Sequence, residues 1–329
     1  MPLLVLSASD VHALLGYPDC VAAMRSGLTA LAAGHAEQPL RVIIRPGAAP
    51  GLIGVMPAYQ AAGGPAAYGL KALVITPGNP AAGLDAHQGI VLVSDGSTGV
   101  PLAVLNASAL TEIRTAAVSV LATDLLARPG AGDLAVIGTG VQARAHIRAF
   151  SQTRALLRVR VAGRDPGRAA AFAAGLQPEI AVPVTACPTA AAAVEGADII
   201  VTATSAGEPV LRRPWIAAGA HVNAVGACLP AARELDGATI AAAELFCDSR
   251  AGLASEAGDY LLAVADGLAG PEVIRGELGE VLAGTVPGRT SDEQITVFES
   301  LGLAVEDLAA ALRVCELAAA AGAGQQVSF

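Results

Sequence analysis

The chain has 329 residues, enough for two domains of ordinary size. Twenty basic side chains against 29 acidic ones leave a net charge of −9, which argues against a protein that follows nucleic-acid phosphates with a basic face. Apolar residues make up 53% and charged residues 15%, so disorder is excluded. The longest uncharged run, Pro46 to Leu70, is broken by prolines and glycines that one spanning helix would not tolerate. Neither a membrane nor a nucleic acid is expected as a partner.

The opening stretch, Met1 to Leu6, has no basic start or long apolar segment, so no secretory signal is expected and the location reads as cytoplasmic. Five widely spaced cysteines without a C-x-x-C read as free thiols, and five histidines without an H-E-x-x-H give no metal site. Ser7-Ala8-Ser9-Asp10 has capping-box spacing before a helix that Gly16 ends. A second helix starts near Pro18 and stops at Gly34. Strand signals follow at 41–44, 52–56, 70–75, 90–93 and 102–105, separated by turn residues, and they read as an open sheet flanked by helices. Asn106 to Leu126 is one long helix. From Leu134 onward strands and helices alternate, which predicts a doubly wound parallel α/β sheet of the Rossmann type. Val305 to Ala321 is a helical tail expected to return to the first domain. The division expected is 1–117 with 303–329 as an α+β substrate and dimerisation domain, and 118–302 as an NAD(P)-binding domain.

Gly138-Thr139-Gly140-Val141-Gln142-Ala143 has the G-x-G-x-x-A form, follows a buried strand and opens a helix. Its glycines let backbone approach a pyrophosphate, and the helix start supplies N–H groups and positive dipole. The second strand ends in Gly163-Arg164-Asp165-Pro166-Gly167-Arg168, with no carboxylate where NAD-binding chains hold the ribose hydroxyls. An arginine there suits a 2′-phosphate, so NADP(H) is favoured and NAD(H) remains possible.

Of the 20 basic residues, 19 are arginine, and the one lysine, Lys71, lies inside an apolar strand. A compact, rotatable ammonium fits a carboxylate or reacting nitrogen; the alternative is a snorkelling sheet-edge lysine. Arg114, among small residues on the long helix, reads as a carboxylate clamp or as a buried interdomain ion pair. Arg41 is a second candidate clamp, with the nearby Arg45 an alternative that periodicity alone does not separate from it. Asp236 could pass a proton beside a reacting imine, or simply cap a helix.

These residues, with Gln38-Pro39-Leu40-Arg41, Gly54 to Tyr59, His87-Gln88-Gly89, Arg114 to Ala117, Val222 to Ala227, Arg233 to Asp236 and Phe298 to Asp307, resemble the ornithine cyclodeaminase/mu-crystallin family over nearly the whole chain. The likeness is greatest to its mu-crystallin branch, NADPH-dependent ketimine reductases. It implies that Arg41, Lys71 and Arg114 hold a substrate carboxylate, that Asp236 is the acid/base, and that Glu256 meets the ligand. It places His87, Arg114, Gly138, Thr139, Gly140, Val141, Gln142, Arg164, Arg168, Thr204, Ser205, Val225 and Ser300 at the cofactor. It also implies a homodimer in which first-domain sheets join into a barrel.

The resulting expectation is an NAD(P)H-dependent reductase of small α-imino acids, with Asp236 and Lys71 managing charge and protons at the nitrogen and pyrroline-2-carboxylate and piperideine-2-carboxylate as first substrates. The rivals are a cyclodeaminase that retains NAD and releases ammonia, an alanine-type amino-acid dehydrogenase, and a non-catalytic protein that binds NADPH or a small ligand.

Overall fold

A computed structural model describes residues 2–61 and 64–329, so Met1 of the opening stretch and Ala62–Gly63 of the long uncharged run lie outside the described residues. In chain order the first elements are β1 (Pro2–Leu6), α1 (Ala8–Leu14), α2 (Tyr17–Ala32), β2 (Ala36–Glu37), β3 (Val42–Ile44), β4 (Leu52–Gln60), β5 (Ala67–Ile75), β6 (His87–Asp95), β7 (Pro101–Asn106) and α3 (Ala107–Leu126). Next come β8 (Asp133–Ile137), α4 (Val141–Thr153), β9 (Arg158–Ala162), α5 (Pro166–Leu176), β10 (Val184–Ala186), α6 (Ala190–Val194), β11 (Ile199–Thr202) and β12 (His221–Ala224). The chain closes with α7 (Gly237–Ala242), β13 (Glu244–Cys247), α8 (Arg250–Glu256), α9 (Gly258–Ala265), β14 (Ile274–Glu277), α10 (Leu278–Leu282), β15 (Thr296–Glu299), α11 (Ala304–Ala321) and β16 (Gln325–Ser328).

The chain forms two compact units, Met1–Arg114 with Gly302–Phe329, and Thr115–Leu301. The division falls between Arg114 and Thr115, inside α3, where the sequence suggests 117/118. The second falls at 301/302, where the sequence suggests 302/303.

The discontinuous unit is a mixed sheet in the order β16-β1-β7-β6-β5-β4-β2, with β3 paired to β4. Here the structure corrects the sequence reading, which opens the chain on helices. Pro2–Leu6 is a strand because it pairs in parallel with β7 and antiparallel with β16, and Leu3 and Leu6 are buried there. Ser7 then caps α1, reciprocated by Asp10, as its spacing predicts. Along β5 burial alternates: Ala67, Gly69, Lys71 and Leu73 point inward, while Tyr68 and Val74 are exposed. α11 covers the inward face across β4, β5 and β6, and packs on α2. The helical tail therefore does return to the first unit.

The continuous unit is a parallel sheet in the order β10-β9-β8-β11-β12-β15-β13-β14. Its strand order reverses between β8 and β11. Doubly wound sheets take their ligands at the carboxyl ends of the strands flanking such a reversal. All five residues of β8 are buried, as a strand covered on both faces requires. No helix among the described residues is long and apolar enough to cross a membrane. No group of three or more His, Cys, Asp or Glu among the described residues could hold a metal ion.

Candidate active site

The first unit gathers its predicted basic residues around two acids. Lys71 is 2% exposed and Arg114 5% exposed, so neither is a surface charge, and Lys71 is no snorkelling edge residue. The Lys71 ammonium lies 2.6 Å from Asp307 Oδ2. Arg114 Nε donates to the other oxygen of the same carboxylate at 3.0 Å, and its Nη1 donates to Glu306 Oε2 at 2.9 Å. Arg114 is thus in a buried ion pair, and that pair lies within one unit rather than between domains. Arg41 joins the group by donating from Nη2 to Gly302 O at 2.9 Å.

The local sequence explains the assembly. Gly69 lies two residues before Lys71 on the same strand face, and a Cβ there would meet the Leu308 side chain at 2.9 Å. Its absence lets α11 sit close over β5, which brings Asp307 onto Lys71. Gly302 has φ +80, and a Cβ on it would stand 2.5 Å from Arg114 Nη1. Leu303 at the N-cap of α11 has no side-chain acceptor, so Gln38 Oε1 accepts from Val305 N at 2.9 Å instead. Glu306 and Asp307 occupy the first turn of α11, where the helix dipole favours anions.

Arg41, Lys71 and Arg114 thus share one cluster with the carboxylates of Glu306 and Asp307. Burial, followed by the charge of Asp307, pushes Glu306 above the usual carboxylate range against the pull of Arg114. Burial lowers Lys71 to about 8, with Asp307 opposing the fall and Arg114 and Arg41 adding to it. His87, at the start of β6, is held below its ordinary value by burial and then by the charge of Lys71. Glu306 and Asp307, which pair with these cations, are residues that the sequence reading left without a role. Their signal is present: two adjacent acids in Ala304 to Leu308, inside a helix with no polar face at that end.

The second unit carries most of the residues expected at the nucleotide, while His87 and Arg114 lie in the first. Gly138 leaves β8 with φ +136, and a Cβ on it would strike Ala203 O at 2.4 Å, so only glycine fits. A Cβ on Gly140 would meet nothing within 4 Å, which leaves an open approach to the backbone. Gly140 is also the N-cap of α4, without a side-chain cap, and the first turn of a helix directs its N–H groups and positive dipole toward an anion. Thr204 and Ser205 follow β11, Val225 follows β12, and Ser300 follows β15, all at the carboxyl edge of the sheet. Ser300 Oγ is buried with no hydrogen-bond partner among the described residues.

Gly163 follows β9, and a Cβ there would sit 3.0 Å from Thr139 Cγ2, so a longer acidic side chain is poorly accommodated. Asp165 is committed to capping α5 through Gly167 N and Arg168 N. The exposed guanidinium groups of Arg164 and Arg168 make no hydrogen bond or ion pair among the described residues. These features fit a dinucleotide and leave cations where a ribose phosphate would lie.

Both acids of Arg233-Glu234-Leu235-Asp236 have structural partners. Asp236 is the N-cap of α7: its Oδ1 accepts from Thr239 N at 3.0 Å, Thr239 Oγ1 at 2.5 Å and Arg213 N at 3.1 Å. The cap that the sequence offered as its alternative is therefore formed. Glu234, missed at the sequence level, is fully buried and ties two strand ends together. Its Oε1 accepts from Thr204 N and Thr204 Oγ1, both at 2.6 Å, and its Oε2 accepts from Gly226 N at 2.7 Å. Asp259 Oδ1 in turn accepts from Glu234 N and Leu235 N. Burial raises Asp259 to about 8 and raises Glu299, at the end of β15, well above the usual range. Glu256, expected at the ligand, is the last residue of α8.

Residues 2–322 match the ornithine cyclodeaminase/mu-crystallin family. The chain is 42% identical over 278 residues to the ketimine reductase mu-crystallin of Mus musculus, covering 84% of each protein. It is 37% identical over 328 residues to a Δ1-pyrroline-2-carboxylate reductase of Bacillus cereus, covering 99% of this chain and all of that one. Among solved structures it resembles Δ1-pyrroline-2-carboxylate reductase of Thermococcus litoralis in complex with NADH and L-proline. The TM-score is 0.94 and the identity 34%, over 99% of this chain and 100% of that one. With that coverage and these side chains in place, the chain belongs to the ornithine cyclodeaminase/mu-crystallin family.

Proposed function

We propose that the protein is an NAD(P)H-dependent reductase of small α-imino acids, with Δ1-pyrroline-2-carboxylate and Δ1-piperideine-2-carboxylate as the first substrates to test. The observation that carries this reading is the gathering of Arg41 with the buried Lys71 and Arg114 in the first unit. A carboxylate suits such a cluster of cations, and planar guanidinium donors fix its orientation.

Reduction of a C=N bond needs a hydride at carbon and a proton at nitrogen. Bound nicotinamide supplies the hydride. The proton comes from the Lys71 ammonium, whose lowered proton affinity makes it a better acid than a surface lysine. Asp236 is occupied as a helix cap, so we place the proton on Lys71 instead. Val141 and Gln142 contribute backbone N–H groups to the pyrophosphate, Thr204, Ser205, Val225 and Ser300 contact the nicotinamide half, and Arg164 and Arg168 bind a 2′-phosphate, which favours NADPH over NADH. His87 and Glu256 complete the ligand contacts. The exposed sheet face bearing Tyr68, Val74 and Ile90 supports a homodimer formed through that face.

The test is loss of nicotinamide absorbance when purified protein and NADPH receive either cyclic imine. Turnover with the imines, and none with the corresponding amide, is the expected result. Ammonia release from ornithine by protein carrying retained NAD would instead make it a cyclodeaminase.

A further inference from the structure

We propose that Asp307 is the positioning residue of this reaction: one carboxylate, forked between the Lys71 ammonium and the Arg114 guanidinium, holds both cations in register and keeps Lys71 able to donate its proton. The inference rests on the imine-reductase reading for its kinetic consequence, but not for its structural one.

The geometry assigns the two oxygens separately. Oδ2 takes Lys71 Nζ at 2.6 Å and Oδ1 takes Arg114 Nε at 3.0 Å. Glu306 Oε2 accepts from Arg114 Nη1 and from Leu303 N. Lys71 points from β5 toward α11, beneath the contact that Gly69 permits, and its side chain is almost fully buried. The charged and titratable groups around it come from every neighbouring element. Asp307 and Glu306 lie on α11, Arg114 on α3, His87 on β6, and Arg41 just before β3. Cys20 on α2 faces Arg114, Glu306 and Asp307, and burial keeps its thiol protonated. Asp307 is the carboxylate in ion-pair contact with Lys71, whereas burial, Arg114 and Arg41 all favour the neutral amine. Without Asp307 the ammonium would lose its proton at lower pH, and the acid required by the imine nitrogen would be gone under ordinary conditions.

Removing this carboxylate has two effects of opposite sign. The ammonium becomes harder to keep, and as long as Lys71 holds its proton the cluster is more positive, which attracts an anionic substrate. A residue that merely propped the fold would weaken both binding and turnover.

Lys71 is the one lysine in the chain, so selective 13C labelling of lysine gives a single side-chain NMR signal whose pH titration reports on it directly. In the wild type that signal should titrate at about 8, and Asp307→Asn should move it down by about one to three pH units. The alkaline limb of kcat/KM for Δ1-pyrroline-2-carboxylate should move by the same amount, and KM for the imine at a pH below the variant's own lysine titration should not rise. Arg114→Met, which removes a cation and leaves Asp307, should move the NMR titration upward and provides a second variant should Asp307→Asn not fold. An unmoved lysine titration in a folded Asp307→Asn protein overturns the proposal, as does a raised imine KM with the alkaline limb in place. Shifted titrations in a protein that turns over no imine would leave the fork standing and remove the imine-reductase reading.

Discussion

A single methyl group added at residue 302 should disable substrate binding while leaving nucleotide binding intact. Gly302 lies at φ +80, where a side chain costs about 1–2 kcal/mol. The new Cβ would also stand 2.5 Å from Arg114 Nη1. The tip of an arginine usually swings aside at little cost, but this one is pinned by Asp307 at Nε and by Glu306 at Nη1. Moving it loses at least one charge-assisted bond, about 1.5–3 kcal/mol. Gly302→Ala should therefore lose about 3–5 kcal/mol of stability, or roughly 10 °C in Tm. Misplacing the guanidinium by about 1 Å should lower kcat/KM for Δ1-pyrroline-2-carboxylate about 100-fold. Calorimetry, imine kinetics and NADPH fluorescence titration give the three readouts. A folded Gly302→Ala protein with wild-type imine kinetics would refute the claim that the Gly302–Arg114 contact aligns the clamp.

Arg164→Ala combined with Arg168→Ala should raise the KM for NADPH by about 10- to 100-fold, the equivalent of about 1.5–3 kcal/mol, and leave the KM for NADH nearly unchanged. Equal losses with both nucleotides would remove the 2′-phosphate from the argument. Asp236→Asn keeps a good N-cap for α7, so stability and imine turnover should both stay within a few-fold of wild type; a collapse of kcat in the folded variant would restore Asp236 to the chemistry. Glu234→Gln strands at least one backbone N–H, at Thr204 or at Gly226, whichever way the amide turns. It should cost about 1–3 kcal/mol and raise the KM for nucleotide more than that for imine, as thermal unfolding and steady-state kinetics can establish. Asp259 is held protonated up to about pH 8, far above its unfolded value, so the fold binds the extra proton between about pH 4 and 8 and loses stability as pH rises across that window. Asp259→Asn retains an oxygen for Glu234 N and Leu235 N, and its Tm should exceed that of wild type at pH 8 but not at pH 5.

Much of the fold is legible because its signals are local. The strand β8, the glycine turn and α4 follow one another within 21 residues, and the capping box at Ser7 needs only four. Lys71 announces its burial by being the one lysine in an apolar strand. What stays hidden depends on distant partners. Pro2–Leu6 and Gln325–Ser328 become strands by pairing with each other, and nothing in the polar, exposed β16 segment shows this alone. Periodicity places Glu306 and Asp307 on a helix but does not say that the helix lies over Lys71. In Arg233 to Asp236 the residue type of Asp236 draws attention, while the neighbouring Glu234 makes the buried ties between strand ends.

The cations precede their counter-ions in the order of synthesis. Arg114 is separated from Asp307 by 193 positions, and everything between Thr115 and Leu301 belongs to the other, continuous unit. A ribosome therefore delivers a complete nucleotide-binding sheet while Lys71 and Arg114 still lack the acids that allow them to be buried. Until α11 emerges those two side chains must stay hydrated, which holds the first unit open. The first unit is completed last in chain order, and the helix that covers its sheet is also the one that carries the acids paired with Lys71 and Arg114.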